Sequence, residues 1–211
     1  MADHIPVGVP HERDGHLRVT YNDIHCLVAI GGGGFIPARI ARSFLKQGKS
    51  GERKKNIPIQ AVGLSLYEEV GFADDNSGLA SEEKLGKEVI RTQWLDLSTL
   101  GSKSLVGRRI LIVDEVDDSR TTLEYTVREL EKDIEEALAR MTPEQRAASP
   151  PTELAIFVVH NKLKTKAGSI PDYVKYFSGA DIEDRWVDYP WEQQDILLHD
   201  AVAAKQKELG L

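Results

Sequence analysis

Residues 109–123 read Arg-Ile-Leu-Ile-Val-Asp-Glu-Val-Asp-Asp-Ser-Arg-Thr-Thr-Leu. The apolar run Ile110 to Val113 stops at Asp114 and Glu115, passes Asp117 and Asp118, and enters Ser119-Arg120-Thr121-Thr122. Consecutive apolar residues bounded by turn-formers predict a strand covered on both faces, as in a parallel sheet. Leu123, Val127, Leu130, Ile134 and Leu138 then recur at helical spacing, with charged residues between them, and predict an amphipathic helix to about Arg140. The joining loop thus lies at the carboxyl end of a parallel strand, where open α/β sheets bind ligands. Its residues 119–122 offer amides and hydroxyls at a helix N-terminus, a setting that favours phosphate. Carboxylates beside a phosphate cradle imply hydroxyls or a metal between them.

Upstream, Cys26 to Ile30 predicts a first core strand, Gly31-Gly32-Gly33-Gly34 breaks it, and Phe35 to Leu45 predicts a helix. Glycines bring bare amides close to a diphosphate, so this is a second phosphate-binding plan. A dinucleotide fingerprint would need glycine near position 36, where Ile stands, and no Walker Gly-Lys-Ser/Thr is present. Ile57 to Leu66 predicts a strand, the polar stretch 68–87 a long loop that is either a lid or a plain hairpin, and Val89 to Leu95 another strand. Residues 142–152 carry three prolines and predict a loop. Leu154 to Val159 and Tyr173 to Phe177 predict two more strands, the first delivering His160-Asn161-Lys162 to the same carboxyl edge. Trp186 and Trp191, with Pro190 between them, form an aromatic patch.

The segment Val113 to Thr122 resembles the phosphoribosyl-diphosphate (PRPP) motif of the type I phosphoribosyltransferases: apolar residues, two acids, two variable positions, then Asp-Thr/Ser-Gly-x-Thr. It fits except at Arg120, where the family usually has Gly. Gly33-Gly34-Phe35-Ile36-Pro37 resembles the pyrophosphate loop of the purine members. Trp186-Val187 through Pro190-Trp191-Glu192 is similar to the C-terminal ending of microbial 6-oxopurine enzymes and of fungal hypoxanthine-guanine phosphoribosyltransferases. The resemblance implies a type I phosphoribosyltransferase fold: a central parallel sheet flanked by helices, with a small hood. It implies transfer of 5-phosphoribose from PRPP to hypoxanthine or guanine, with Mg²⁺ as cofactor and a homodimer as the assembly.

Residue roles follow from the same resemblance. Gly32 and Gly33 would serve the pyrophosphate. Asp114 and Glu115 would hold the ribose hydroxyls directly or through Mg²⁺, with Glu192 a further metal ligand. Asp118 would take the proton from purine N7, and Ser119, Arg120, Thr121 and Thr122 would bind the 5′-phosphate. Asp117 falls at a variable position and receives no catalytic role. Lys162 presents only hydrogen-bond donors, so it would prefer a 6-oxo group to a 6-amino group. Trp186 would stack on the base and the Val187 backbone would read its edge, while Trp191 is expected in the core or an interface. Ser65 and Tyr67 would open the lid loop. In the family, a helix of about four turns separates a Tyr-Asn-x-x-His segment from the first strand; here Tyr21 to His25 runs straight into it.

At 211 residues the chain suits one α/β domain, expected over 20–211 after an arm at 1–19, with hood pieces near 20–25 and 178–205. A net charge of −7 argues against general nucleic-acid or anionic-membrane binding, so any phosphate site must be local. The single Cys26 allows no internal disulfide, and MADHIPVGVP lacks the pattern of a signal peptide, so a cytoplasmic address is expected. Alternatives are a xanthine-preferring enzyme and a non-catalytic PRPP or purine sensor.

Overall fold

Cys26–Gly31 forms β1 at the centre of the sheet, and its alternate side chains are buried on opposite faces. The computed structural model describes residues 24–45, 56–67, 88–95 and 105–209. The arm expected over 1–19, the hood residues 20–23 and the lid segment 68–87 lie outside the described residues. Around β1 stand α1 (Phe35–Phe44), β2 (Ile59–Tyr67), β3 (Glu88–Gln93), β4 (Arg109–Asp117), α2 (Thr121–Ala139), α3 (Pro143–Ala148), β5 (Glu153–Lys162), β6 (Lys175–Ile182) and α4 (Ile196–Glu208).

The six strands run in the order β3-β2-β1-β4-β5-β6. All neighbours are parallel except β2 and β3, an antiparallel pair with a register shift at Gly63/Leu64. The sheet expected to be parallel therefore carries one antiparallel edge strand, a common feature of such sheets. Its two faces have separate cores. Val28, Ile30, Ile110, Ile112, Ile156 and Val158 meet Leu123, Val127, Leu130 and Ile134 of α2. Leu27, Ala29, Leu111 and Val113 meet Ala38, Ala41 and Leu45 on the α1 side. The helical spacing of the α2 residues and the period of two along each strand produce this three-layer packing.

The chain leaves β1 toward β2 and returns as β4 on the other side of β1, so strand order reverses between β1 and β4. A crevice opens at the carboxyl ends of strands at such a switch point. Three sequence expectations need correction. The strand ending at Val113 continues to Asp117, because β5 pairs with it to the register Asp117↔Asn161. Likewise His160-Asn161-Lys162 belongs to β5 itself, paired with β6 up to Lys162↔Ile182. The proline-rich loop at 142–152 contains α3: the Thr142 hydroxyl accepts from Gln145 N at 3.3 Å, the Gln145 side chain accepts from Thr142 N at 3.0 Å, and Pro143 occupies the first turn. That is a capping box followed by a proline in the position where its missing N–H is harmless. Among the described residues no helix is long and apolar enough to cross a membrane.

Candidate active site

The switch-point crevice has a volume of about 580 Å³ and is lined by Gly31, Gly32, Gly33, Asp114, Glu115, Thr122, Trp191 and Glu192 among others. The glycine turn between β1 and α1 thus faces the acidic end of β4 and the start of α2. Gly33 lies directly against Glu115: a Cβ there would sit 1.8 Å from the carboxylate carbon. Gly34 is fixed differently, by backbone, since a Cβ would come within 2.4 Å of Val113 O and 2.6 Å of Ile30 O. Gly32 opens onto free space.

The Asp114 carboxyl is buried and accepts from Glu115 N at 2.9 Å. Burial, reinforced by the neighbouring Glu115 and Asp117 charges, pushes its pKa up to about 8 against the opposing backbone bond. Glu115 is anchored from the C-terminal segment: Trp191 Nε1 donates to its Oε2 at 2.9 Å, and the Tyr189 hydroxyl donates to its backbone O at 3.0 Å. The Tyr189 and Trp191 rings stack with centroids 4.8 Å apart, and Tyr189 OH also meets His160 Nδ1 at 2.8 Å. Burial raises the Glu115 pKa, the Trp191 bond opposes it, and the charge of nearby Glu192 adds to the rise. With Asp114 and Glu115 pushed toward protonation, the pocket favours a cation that enters it.

Ser119 to Thr122 form the turn into α2. Arg120 makes no side-chain cap at the helix start, and Thr121 N donates only a long bond, 3.4 Å, to Ser119 Oγ, a setting in which first-turn N–H groups can turn to an anion. Ser119 Oγ and Thr121 Oγ1 lie 3.0 Å apart. Arg120 adopts the left-handed conformation, φ 69°, which costs a non-glycine residue about 1–2 kcal/mol. The loop therefore keeps the backbone shape for which the family's glycine is suited, but with a side chain. That side chain turns back: Nε and Nη2 donate to Asp117 Oδ2 at 2.9 and 2.8 Å.

Asp118 is clasped by two lysines. Lys164 Nζ donates to its Oδ1 at 2.8 Å, and Lys162 Nζ lies 3.3 Å from Oδ2. Asp184 pairs with the same two lysines. Burial would raise the Asp118 pKa, but the Lys164 hydrogen bond and the Lys162 charge outweigh it and hold the carboxyl below its ordinary value. Trp186 stands two residues beyond Asp184, 78% exposed, with its ring N–H donated to Asp188 Oδ1 at 2.8 Å, while Val187 is half-buried. Ser65 and Tyr67 fall on β2, and their side chains lie outside the described residues.

The structure thus gathers Gly32, Gly33, Asp114, Glu115, Thr122 and Glu192 around one crevice, and sets Lys162 against Asp118. Sequence reasoning missed Trp191, Tyr189, Lys164 and Asp184 as parts of this arrangement. Trp191, expected in a core or interface, holds a site carboxylate instead, because the turn at Pro190–Glu192 brings it over the end of β4. The alternation of lysines at 162, 164 and 166 opposite the acids at 117 and 118 was a visible signal for the second lysine.

Comparison with known proteins fits this geometry. The chain is 48% identical to the hypoxanthine-guanine phosphoribosyltransferase of Schizosaccharomyces pombe over an alignment covering 92% of this chain and 97% of the relative. The chain belongs to the purine phosphoribosyltransferase family. The xanthine phosphoribosyltransferase 1 of Saccharomyces cerevisiae is also similar, at 46% identity over 90% of this chain and 96% of its own length. Among solved structures, a hypothetical protein from Neisseria gonorrhoeae with bound ppGpp superposes with a TM-score of 0.60 at 37% identity, covering 87% of this chain and 82% of that one. No family model matches the chain.

Proposed function

We propose that this purine phosphoribosyltransferase is a salvage enzyme that transfers 5-phosphoribose from PRPP to N9 of hypoxanthine or guanine, giving IMP or GMP and pyrophosphate. The supporting observation is the shared crevice, in which the glycine turn, the acidic end of β4 and the start of α2 converge. Breaking the C1–oxygen bond leaves positive charge on ribose and negative charge on pyrophosphate, so groups must be placed for both. Gly32 and Gly33 lend backbone amides to the pyrophosphate. Asp114 and Glu115 hold the ribose hydroxyls, and residues 119–122 bind the 5′-phosphate at the start of α2.

Lys162, the more buried of the two clasping lysines, donates to the 6-oxo group of the base, beside Trp186 and Val187. Its transfer to the base leaves Asp118 with one cation fewer and therefore a better acceptor for the N7 proton. Asp114, Glu115 and Glu192 would hold Mg²⁺. All three line the same crevice and offer the hard oxygen donors that Mg²⁺ takes. Among the described residues no three such side chains are grouped closely enough to hold a metal by themselves, so one or two of these carboxylates would share the ion with substrate phosphates. The chemistry that Mg²⁺ supplies there is neutralisation of charge on the leaving pyrophosphate. The same reading includes a cytoplasmic homodimer, a single domain over 20–211 after an arm at 1–19, a lid opened by Ser65 and Tyr67, and hood pieces near 20–25 and 178–205, the second reduced by residues 178–182, which belong to β6 of the sheet.

Initial rates of the purified protein with Mg²⁺ and PRPP, offered hypoxanthine, guanine, xanthine or adenine separately, test the proposal. Turnover of hypoxanthine and guanine is expected, and a folded protein that turns over neither refutes it. The similarity to the Saccharomyces xanthine enzyme supports a second reading, a xanthine preference, which the same assay separates because the three 6-oxopurines differ at C2 and are offered one at a time.

A further inference from the structure

Asp117 has no place in the mechanism above, yet it is among the most buried charged groups described, with its side chain fully enclosed. Its Oδ2 accepts three hydrogen bonds, from Arg120 Nε and Nη2 and from the Tyr176 hydroxyl at 2.7 Å. Lys166 stands 3.4 Å from Oδ1 and also donates to the backbone carbonyls of Asp117 and Asp118, at 2.6 and 3.1 Å. The Arg120 guanidinium lies 5.1 Å from the Tyr176 ring centroid. On the far side, Ala167 N and Gly168 N both donate to Ser119 O at 3.0 Å, and a Cβ on Gly168 would meet Arg120 O at 2.7 Å. The turn between β4 and α2 is therefore gripped on its side chain by Asp117 and on its carbonyls by the segment after β5.

Two of the three guanidinium nitrogens of Arg120 are committed to Asp117, so its side chain is directed toward the protein interior. A left-handed backbone is unfavourable for arginine and unstrained for glycine. An enclosed carboxylate that accepts a forked pair of charged hydrogen bonds supplies a directional restraint that a surface pair would lack.

We propose that Asp117 is a positioning residue for phosphate binding: by holding Arg120 it keeps the turn left-handed, so that the first N–H groups of α2 face the 5′-phosphate of PRPP. The assignment rests on the phosphoribosyl reading above, and it predicts that Asp117 matters because residue 120 is not glycine.

The test is a cycle of Asp117→Asn, Arg120→Gly and the double variant, in which PRPP affinity is measured by calorimetry with Mg²⁺ and KM by initial rates. Thermal unfolding is followed on each sample. Asp117→Asn is expected to weaken PRPP binding about tenfold, or 1.4 kcal/mol, with the loss falling on the KM for PRPP rather than on that for hypoxanthine. In the Arg120→Gly background the same substitution is expected to cost much less, since glycine needs no holding. Equal losses in the two backgrounds, or no loss in the first, overturn the proposal. Should Asp117→Asn fail to fold, Arg120→Ala against Arg120→Gly decides: both lack the ion pair, only alanine retains the backbone penalty, and equal PRPP affinities would overturn the proposal. A folded wild-type protein that binds no PRPP refutes the phosphate assignment itself, whereas wild-type binding with equal losses refutes only the coupling.

Discussion

Alanine at position 33 offers a measurement of how tightly the crevice is built. Its Cβ would lie 1.8 Å from both Cδ and Oε1 of Glu115 and 2.3 Å from Oε2. Ordinary contact is about 3.5–4.0 Å, so the carboxylate must retreat by roughly 2 Å. A glutamate tip can move, but this one is tethered by the Trp191 N–H at 2.9 Å. Losing a hydrogen bond to a charged group costs about 1.5–3 kcal/mol. Water can replace that bond, but not the position in which Glu115 would hold the ribose hydroxyls, so kcat/KM for PRPP should fall by roughly tenfold or more. The displaced carboxylate is not enclosed and regains water, so the thermal midpoint should move little.

Gly34→Ala presents the opposite case, because its Cβ meets backbone oxygens of β1 and β4 that cannot retreat. Overpacking of about 1–3 kcal/mol should lower its midpoint by roughly 2–12 °C. Steady-state kinetics and thermal unfolding on both variants give the comparison. In a Trp191→Phe background, where Glu115 is already untethered, Gly33→Ala should lose much less. A kcat/KM for Gly33→Ala within about twofold of wild type, or the same loss in both backgrounds, would refute the reasoning.

Lys162→Ala should impair hypoxanthine and guanine far more than it impairs PRPP binding, and equal losses across all bases would argue against direct recognition. Lys164→Ala removes a cation from Asp118, which raises the carboxyl toward its ordinary value, so the acid limb of the pH–rate profile should move to higher pH. Burial, opposed by the Arg108 charge, pushes the Cys26 thiol from 9.0 up to about 11. A folded pKa above the unfolded one gives stability that is present below about pH 9 and lost toward pH 11, about 3 kcal/mol in all. Urea unfolding across that window should show a steeper decline than in Cys26→Ala, and parallel curves would contradict it. Leu130→Ala, at a fully enclosed position of α2, should lower stability by about 2–5 kcal/mol in the same assay while leaving activity per folded molecule intact.

The sheet, the helix after it and the ligand-binding edge were readable because each rests on periodicity. Ile110 to Val113 and the Leu123 to Leu138 series say where the core lies without knowledge of the partners. Extension of β4 through Asp114 to Asp117 was not readable, since acidic residues on a strand normally mark its end. Here pairing with β5 continues, and Lys166, Tyr176 and Arg120 accommodate Asp117. The tether from Trp191 to Glu115 joins residues 76 positions apart and carries no local signature. The antiparallel direction of β3 was equally hidden, since alternation is the same for either direction.

The grip of Asp117 on Arg120 also bears on the order in which such a turn can change. With glycine at 120 an acid at 117 is optional, whereas arginine at 120 without that acid carries an uncompensated backbone penalty. The accessible path therefore places aspartate first and arginine second. Once both are present, loss of Asp117 alone is penalised, so a formerly dispensable residue becomes entrenched by its successor. Reversal has to begin at Arg120, because glycine there removes the backbone penalty that Asp117 offsets.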